Sequence, residues 1–519
     1  MSNDRLNNRH QRNIYKRIIV KGTLVLDTPT CLGSGDSDSL TDLALLRDSV
    51  DEDKALLTGA SIAGALRNYL RDYAGKYGQL ESEGDLTNLL FGSARKVLDQ
   101  NKKVVIVDDG DQSPLIVNDS ISNEKIDIEL RDGVRIDGKK GVAVDSAKYD
   151  FELLSAGTQF PLFFELLIEK KYQDLQKQSE YENNLKQGLA IALSGFEKGE
   201  IAIGMKKRRG FGRCKVENWQ VWEFDLRNSQ HRLAWLTFDR ELGNEYTVAE
   251  TLKEGKIEHI FDAVSGDQRD RFAISAKFSP VGSMLIRSGQ SLQKDKDGKY
   301  RKSPDAVHLK SNRSDKSESI ISGTSLAGVL RHRAVRIVKT LNPNIVIPEG
   351  KDRQPEIIEK IFGFVAEDEK RKDVLKAQAS RLIVEEKVIE KPTELVQPRI
   401  AINRFTGGAM HGALFDAQPV FSGEVELKLE LWNPKDKDNE YKIGLLLLLL
   451  KDLWTGDLPI GSESSIGRGR LQGLHADITY QGNTWTIQGK DSLTITPDIA
   501  KETLESYVEK FIKEVEVKS

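Results

Sequence analysis

Two short segments of the sequence carry the residue types that bind a phosphate group. Residues 59–61 (GAS) and 323–325 (GTS) each begin the pattern G-x-S-x-x-G-x-L-R, which continues into a stretch of helical periodicity. A helix N-terminus offers unpaired backbone N–H groups and the positive end of the helix dipole, and both attract anions. Ser61 and Ser325 are therefore expected either to cap these helices or to bind a phosphate directly.

The same two predicted helices carry an arginine and an unusual glycine. Arg67 and Arg331 lie later in the helices, where a guanidinium can add to the binding of a phosphate. Gly64 and Gly328 lie inside the helices, where glycine costs about 1 kcal/mol relative to alanine. We expect another backbone or an RNA to approach closely at these glycines, with simple capping and packing as the alternative.

The strongest basic run in the chain is KKRRGFGR, residues 206–213. Its glycines keep the backbone accessible, Phe211 can stack on a base, and its cations neutralise phosphates, so the run suits a nucleic-acid backbone. A solvated basic turn is the alternative. The candidate RNA contacts in this run are Lys206, Lys207, Arg208, Arg209, Phe211 and Arg213. The corresponding segment of the second half, residues 464–470, keeps only Arg468 and Arg470 as cations.

Six short blocks recur in the same order in the two halves of the chain. The pairs are TGASIAGALRNYLRD (58–72) with SGTSLAGVLRHRAVR (322–336), LLFGSA (89–94) with KIFGFV (360–365), SPLIVND (113–119) with SRLIVEE (380–386), VRIDGKKG (134–141) with IAINRFTGG (400–408), GLAIALSG (188–195) with GLLLLLLK (444–451), and GFGRCKV (210–216) with GRGRLQG (467–473). Six blocks in a fixed order indicate a duplicated domain. The period has the size of a whole domain, which excludes a solenoid of short repeats.

These blocks must be positioned by two similar α+β domains. Partly alternating apolar residues predict strands over 17–26, 160–168 and 272–278, and the few helices in a βαβ-type order favour a ferredoxin-like core. The linker has a possible helix at 248–260, and the C-terminal extension contains a strand-like TWTIQG and a charged helix at about 499–517. The predicted divisions are a first domain over 13–224, a linker over 225–270, a second domain over 271–480 and an extension over 481–519.

Composition narrows the class of protein. The chain has 519 residues and a formal net charge of −3, which counts against a protein that coats nucleic acid over its whole surface but allows a local basic groove. Its two cysteines, Cys31 and Cys214, form no CxxC pattern, so we expect neither a disulfide framework nor a zinc site. The polar N-terminus and the short apolar run 444–450 predict no signal peptide and no membrane span. A cytoplasmic location is the expectation.

Together these blocks resemble the RAMP superfamily, the repeat-associated RNA-binding proteins of CRISPR systems. The features that match are the Gly-rich loop after the first strand (26–36), the G-x-S-x-x-G-x-L-R starts, the FG blocks, RIAINRFTGGAMHGALFD (399–416) and the closing Gly-rich loops. The resemblance is closest to the backbone subunit of type III effector complexes, with two subunits fused in one chain. It implies tandem ferredoxin-like, RRM-like domains and, as partners, a guide (CRISPR) RNA, a target RNA and other type III effector subunits.

The resemblance also implies a hairpin "thumb" in each domain that wedges between guide and target. The sequence places the thumbs at 134–141 and 400–415, with Arg404 as an RNA contact. Phe405 and Met410 are candidate wedges in the second domain, and core packing is an equal alternative for both. The polar segment 286–319 is expected to be a mobile loop that becomes ordered on RNA.

In the family, the loop between the first strand and the G-x-S-x-x-G-x-L-R helix carries a catalytic aspartate. The family pattern of an aspartate, a short apolar run and Arg-Asp places this residue at Asp42, and the same logic places its counterpart at Asp305, with a poorer match. RNA supplies its own nucleophile, the 2′-hydroxyl, so cleavage needs in-line geometry and stabilisation of charge on the phosphate. Asp42 and Asp305 are thus predicted as catalytic residues and as ligands of a divalent metal ion, Mg²⁺.

Three other functions are compatible with parts of this sequence. A scaffold would bind guide RNA without cutting. A stand-alone enzyme that processes the guide precursor often uses a histidine as general base, and His308 lies near Asp305, but no histidine recurs at matched positions in the two halves. A nucleotide-binding enzyme is disfavoured because the chain lacks GxxxxGK[ST].

Overall fold

The structure of the chain is a computed structural model. It describes residues 12–35, 41–77, 84–98, 104–138, 140–239, 252–263, 266–288, 304–313, 316–350, 353–367, 375–433, 440–489, 493–497 and 500–517.

The first half contains a central sheet, several short hairpins and five helices within its described residues. The strands are β1 (Ile14–Leu26), β2 (Leu56–Leu57), β3 (Ser93–Leu98), β4 (Val104–Asp111), β5 (Leu115–Val117), β6 (Ser120–Ile121), β7 (Ile128–Ile136), β8 (Ala143–Leu154), β9 (Gln159–Glu169), β10 (Cys214–Asp225) and β11 (Leu252–Gly255). The helices are α1 (Gly59–Tyr73), α2 (Leu86–Phe91), α3 (Leu175–Glu197), α4 (Ser229–Leu236) and α5 (Ile257–Ile260).

The central sheet of the first half has the strand order β11-β10-β1-β9-β5, and all its pairs are antiparallel. Without the edge strand β11, the chain runs β1-α1-β5-β9-α3-β10, so the sheet order is 4-1-3-2. This is the βαββαβ arrangement of a ferredoxin-like domain, as predicted. Ile18, Val20 and Leu24 of β1 are buried beneath α1 and α3, because alternate residues of a strand face the same side.

The second half repeats this architecture with additional short strands. Its strands are β12 (Arg271–Val281), β13 (Ser283–Met284), β14 (Arg287–Ser288), β15 (Ala306–His308), β16 (Lys310–Arg313), β17 (Lys316–Ile321), β18 (Phe364–Glu367), β19 (Leu375–Gln378), β20 (Leu382–Val384), β21 (Lys387–Val388), β22 (Thr393–Glu394), β23 (Gln397–Ile402), β24 (Ala409–Gln418), β25 (Val420–Phe421), β26 (Val425–Trp432), β27 (Arg470–Tyr480), β28 (Asn483–Gln488) and β29 (Thr494–Thr496). The helices are α6 (Gly323–Leu341), α7 (Glu356–Phe362), α8 (Tyr441–Trp454) and α9 (Ala500–Val517).

The second sheet has the order β20-β26-β12-β27-β28-β29, so its first four strands again give 2-3-1-4 in chain order. The duplication extends to single hydrogen bonds. Ser113 donates from Oγ to the carbonyl oxygens of Leu90 (3.1 Å) and Leu115 (2.7 Å). Ser380 makes the same pair of bonds to Ile361 (3.2 Å) and Leu382 (2.8 Å). The two halves are therefore copies of one fold.

Both flanking segments belong to the domains they follow. In the predicted linker, β11 extends the first sheet, and α4 covers the sheet face opposite α1 and α3 through a cluster that includes Ile19 and Trp222. The prediction of a helix at 248–260 is wrong. The described part of this segment forms β11 and then the single turn of α5. The C-terminal helix occurs as predicted, and its Phe511 and Val515 are buried in the second core beside α8.

The segment 286–319 is not one mobile loop, and that expectation is wrong for its described residues. Residues 306–308 pair with β14 and β24, and 310–313 pair with β17. Residues 289–303 and 314–315 lie outside the described residues. The ordered part contacts the first domain, where Ser311 donates to the Glu129 carboxylate at 3.0 Å. Side-chain partners on the other domain, which a local sequence pattern cannot reveal, hold this segment in place.

A buried ion network joins the two domains. Arg131 on β7 is 3% exposed and donates to Glu129 and, with two nitrogens, to Glu386 of the second domain. Burial disfavours its charge, but the two carboxylates outweigh burial and raise the pKa of Arg131 above its ordinary value. Arg313 also donates to Glu386, at 3.0 Å. Gly210 of the first domain lies so close to the second domain that a Cβ added at this position would be 2.2 Å from the backbone nitrogen of Glu386.

Candidate nucleic-acid interface

A groove in the first domain runs between the start of α1 and two loops. It is lined by residues of 31–33, 56–68 and 203–207 and has a volume of about 370 Å³. Ser61, Gly64 and Lys207, all singled out from the sequence, lie on this groove. The structure thus brings the helix start of the first domain and one residue of the basic run, Lys207, to one surface.

The two helices begin two residues before the serines. Thr58 caps α1 and Ser322 caps α6, and in each case the cap oxygen accepts the N–H of the third helical residue, Ser61 or Ser325, at 3.3 Å. The expectation that Ser61 and Ser325 are the N-caps is therefore wrong. Their hydroxyls instead accept from the cap hydroxyl at 2.9 Å. Both serines remain at the helix start, where the remaining N–H groups and the dipole favour an anion.

Gly64 and Gly328 have no packing partner among the residues that the structure describes. An added Cβ at Gly64 or Gly328 would meet no atom within 4 Å, and both residues are exposed. Glycine weakens a helix, and no described part of the protein approaches these two glycines closely enough to explain why a glycine is present. The open face that remains is compatible with close approach by a bound chain.

Arg209 of the first domain lies near α6 of the second domain, which carries Arg331. Burial, followed by the nearby guanidinium of Arg331, lowers the pKa of Arg209 to about 10. Bringing two like charges together is unfavourable unless an anion reduces their repulsion. Arg67, the counterpart of Arg331 in α1, donates to Asn88 at 3.3 Å. The junction therefore brings a second arginine, Arg209, near Arg331 of α6.

Most of the basic run contacts protein. Lys206 lies over the rings of Phe151 (3.7 Å to the centroid) and Tyr149 (4.3 Å). Arg208 lies 4.6 Å from the ring centroid of Trp432 in the second domain, and Arg213 donates to Glu385 at 2.7 Å. Phe211 is 1% exposed and packs against Phe151, so its ring is not available to a base in this structure. Lys207 is exposed at the groove.

The second domain uses the same positions differently. Glu463 occupies the place of Lys206, with the same left-handed backbone, and pairs with Arg399 (2.6 Å) and Arg468 (2.8 Å). Arg468 is 4% exposed and also donates to Gln397 at 2.7 Å. Of the two predicted RNA contacts in this loop, Arg470 is exposed and Arg468 is held within the protein.

Each domain carries a long hairpin where a thumb was predicted. The last pair of the β7–β8 hairpin before its turn is Ile136 with Ala143, and that of the β23–β24 hairpin is Ile402 with Ala409. Phe405 is 95% exposed at the second turn, with Arg404 exposed beside it and Met410 half exposed on the following strand. Of the two alternatives for Phe405, core packing is excluded. Ile402, Met410 and Leu414 of the same hairpin are also exposed, and a group of exposed apolar side chains is typical of an interaction site.

Both candidate catalytic aspartates accept a backbone N–H from these hairpins. Asp42 and Asp305 are exposed, and each accepts a backbone N–H on Oδ2 at 2.9 Å, from Asp150 of β8 and Asp416 of β24 respectively. The next residues pair in parallel, Leu43 with Phe151 and 306 with 417. This geometry supports the alignment of Asp305 with Asp42, which the sequence alone matched poorly.

Asp150 and Asp416 are the residues that the sequence analysis missed. Each lies on the second strand of its hairpin, and Asp416 ends the very motif, RIAINRFTGGAMHGALFD, that carried the family resemblance. An aspartate at the same offset from both hairpin turns was the available signal. Its role could not be derived from the sequence, because its neighbour is distant along the chain.

The open sheet faces are not RNA platforms of the RRM type, which stack bases on exposed aromatic residues. In the first domain α4 covers that face, with Trp222 and Phe224 buried beneath it. In the second domain the face contains a shallow cavity of about 220 Å³, lined by apolar residues such as Ile383 and polar residues such as Ser275 and Lys428, and its lining includes no aromatic residue. Among the described residues, the groove, the helix starts and the hairpins are the remaining candidate surfaces.

His308 has a structural role. It is 1% exposed, its Nδ1 accepts the N–H of Ile286 at 3.2 Å, and its Nε2 lies 3.0 Å from the carbonyl oxygen of Ile320. Burial lowers the pKa of His308 to about 4. A buried, neutral imidazole between strands does not suit a general base that must reach RNA, which weighs against the guide-processing alternative.

Within the residues that the structure describes, no three His, Cys, Asp or Glu side chains cluster as a metal site. No described helix has the length and apolar character needed to cross a membrane.

Comparison with protein-family models gives a match in each half of the chain. The model of the RAMP superfamily matches residues 23–215 and 277–472, which together make up most of the sequence. Both matched regions lie within the predicted domain bounds of 13–224 and 271–480. A search of curated proteins finds no significant match.

Proposed function

This chain belongs to the RAMP superfamily, and from that premise we propose that it is a backbone subunit of a type III CRISPR effector complex that binds guide RNA and cuts target RNA. Membership by itself supports a CRISPR-associated RNA-binding role. The observation that carries the proposed cutting is the duplicated contact of Asp42 and Asp305 with the two hairpins, at the same distance and on the same oxygen.

Guide RNA is proposed to follow the groove and the helix starts. The groove beside Ser61, Gly64 and Lys207 combines an anion-attracting helix end, an open backbone and a cation. The corresponding helix of the second domain has two arginines nearby, Arg209 and Arg331, at the junction. Phosphate contacts of this kind are independent of base sequence, as a subunit serving many guides requires.

The hairpins and the aspartates together suit cleavage of a strand paired with the guide. An exposed side chain such as Phe405 can unstack a base and so free the adjacent sugar. The 2′-hydroxyl can then attack the neighbouring phosphate in line, which breaks the bond to the 5′-oxygen of the next nucleotide and leaves a 2′,3′-cyclic phosphate. Because each aspartate is tied to a hairpin, the cut is expected at the unstacked position.

The carboxylates present fit a hydrated Mg²⁺ ion held jointly with RNA. Mg²⁺ is commonly bound through one or two carboxylates together with substrate phosphates. Asp42 and Asp305 each offer an exposed carboxylate with Oδ2 engaged by a backbone N–H. When bound, the ion would neutralise charge on the scissile phosphate. The protein groups orient the carboxylate and the substrate.

We expect target cleavage to need a divalent cation and guide binding to proceed without one. Guide contacts come from cations and helix N–H groups, whereas a carboxylate near a phosphate needs a cation between them. The assembled complex, loaded with guide, is given matched target RNA in Mg²⁺ or in excess EDTA. Two cuts in Mg²⁺, and guide retention with loss of both cuts in EDTA, are expected. Efficient cutting in EDTA would contradict the metal dependence. If the target stays intact in Mg²⁺, the chain is a scaffold that binds guide RNA without cutting.

Lys207 is expected to contribute one phosphate contact to guide binding. Replacing it with glutamine should weaken binding equally for all guide sequences and lower the slope of log affinity against log salt by roughly 0.7 to 0.9. The matched control is Lys253→Gln, which removes an equal charge from the exposed edge strand β11. A salt titration of guide binding measures both variants. Equal slopes for Lys207→Gln and wild type would place this lysine outside the RNA path.

Another effector subunit is proposed to bind the far side of the second domain. At the internal junction, Arg209 and Gly210 of the first domain lie against the second domain. Their counterparts, Ile466 and Gly467, have no such cover: Ile466 is 60% exposed, and an added Cβ at Gly467 would meet no described atom within 4 Å. A further domain of the same fold would bury this surface.

A further inference from the structure

The contact between Asp42 and the first hairpin is reciprocal. Asp150 donates its backbone N–H to Oδ2 of Asp42 at 2.9 Å, and Asp42 donates its own backbone N–H to Oδ1 of Asp150 at 3.1 Å. The following residues continue the contact, since the N–H of Glu152 donates to the carbonyl oxygen of Leu43 at 3.1 Å. The Asp150 side chain thus holds the backbone of the residue whose carboxylate is proposed to act on RNA.

The second domain lacks half of this contact. The N–H of Asp416 donates to Oδ2 of Asp305, but the N–H of Asp305 donates to no oxygen of Asp416, and the structure describes both residues. The Asp416 carboxylate therefore does not hold the Asp305 backbone in place. Asp416 is therefore a matched control for Asp150, because it is the same residue type at the corresponding place and makes only the backbone contact.

We propose that Asp150 is a positioning residue that fixes the Asp42 carboxylate relative to the first hairpin, an inference that rests on the proposed cleavage by Asp42. By accepting the Asp42 N–H, the Asp150 carboxylate joins the backbone of residue 42 to β8. Since β8 is the second strand of the thumb hairpin, seating the hairpin in the guide–target duplex also sets the place of Asp42. Asp150 acts through this hydrogen bond and not as a ligand of RNA or metal.

The test uses the assembled, guide-loaded complex and single-turnover cleavage at the position that depends on Asp42. Asp150→Ala should lower the rate constant of that cut about 10- to 100-fold, because small displacements of a reacting group have effects of this size. Asp150→Asn should keep the rate within roughly threefold of wild type, since the amide oxygen can still accept the Asp42 N–H. Asp416→Ala should leave the second cut within roughly threefold of wild type, because no side-chain bond is lost.

Four further measurements separate positioning from loss of structure or of metal. Guide affinity, target affinity and the second cut should be unchanged in Asp150→Ala, and the Mg²⁺ concentration for half-maximal cutting should also be unchanged. Wild-type cutting by Asp150→Ala overturns the proposal. Equal loss in Asp150→Asn and Asp150→Ala overturns it too, because that result means the negative charge itself is needed. If Asp42→Ala still makes the first cut, the proposed function has failed instead.

Discussion

Asp42→Ala is expected to abolish one cut in the target RNA while guide binding and the second cut persist. The carboxylate is exposed beside the first hairpin and is the proposed site of charge stabilisation at one phosphate. Removing a group that acts only on the transition state lowers the rate constant without lowering substrate affinity. A loss of at least about 100-fold is expected, as for other single electrostatic groups in active sites.

The second domain provides the internal control for this result. Asp305→Ala should remove the other cut, displaced along the target by the spacing of one backbone domain, and should leave the Asp42-dependent cut at its normal rate. The measurement is the length of end-labelled products from a single turnover of each complex. If Asp42→Ala yields the same products at the same rate as wild type, Asp42 is not catalytic. If Asp305→Ala does so, the second domain only binds RNA.

Glu386→Gln is expected to destabilise the junction between the domains by about 3–5 kcal/mol, because removing one partner of a buried ion network leaves uncompensated charge. Glu386 is fully buried and accepts from Arg131 and Arg313, and Arg131 is itself buried. The amide keeps the shape of the side chain but removes its charge. Chemical denaturation followed by tryptophan fluorescence measures the loss, since Trp432 lies at this junction.

The control for the junction is an ion pair on the surface. Lys277 and Glu424 form such a pair in the second domain, with both side chains nearly half exposed. Glu424→Gln should cost at most about 1 kcal/mol, as exposed pairs contribute little. Similar denaturation curves for Glu386→Gln and Glu424→Gln would show that the buried network does not hold the domains together. Guide binding by Glu386→Gln should also weaken, because the proposed RNA surface spans the junction.

The basic run shows where sequence reasoning about charge reaches its limit. A cluster such as 206–213 is unfavourable without an anionic partner, and the sequence suggested RNA as that partner. For Arg213 the partner is Glu385, and Arg208 instead packs on Trp432. Both lie on the other domain, so no local pattern could have distinguished them from the exposed Lys207. The same holds for Arg468, whose burial depends on Glu463 and Gln397.

The sequence by itself determined the duplication and favoured a ferredoxin-like order of strands and helices, because strand and helix periodicity and six blocks in a fixed order are short-range signals. The positions of both hairpins were expected from the family resemblance. The helix starts were found within a few residues, although their caps were assigned to Ser61 and Ser325 instead of Thr58 and Ser322. Cap geometry depends on backbone angles, which the residue types only restrict.

Only the tertiary structure decided which residues act together. It placed Asp42 against Asp150 and Asp305 against Asp416, and so related two loops whose sequences differ. It also showed that Arg131 and Glu386, ordinary charged residues in the sequence, form the buried centre of the domain junction. The physical reason is the same in each case: hydrogen bonds and ion pairs depend on distances of a few ångströms between atoms, and the fold brings together residues that are far apart along the chain.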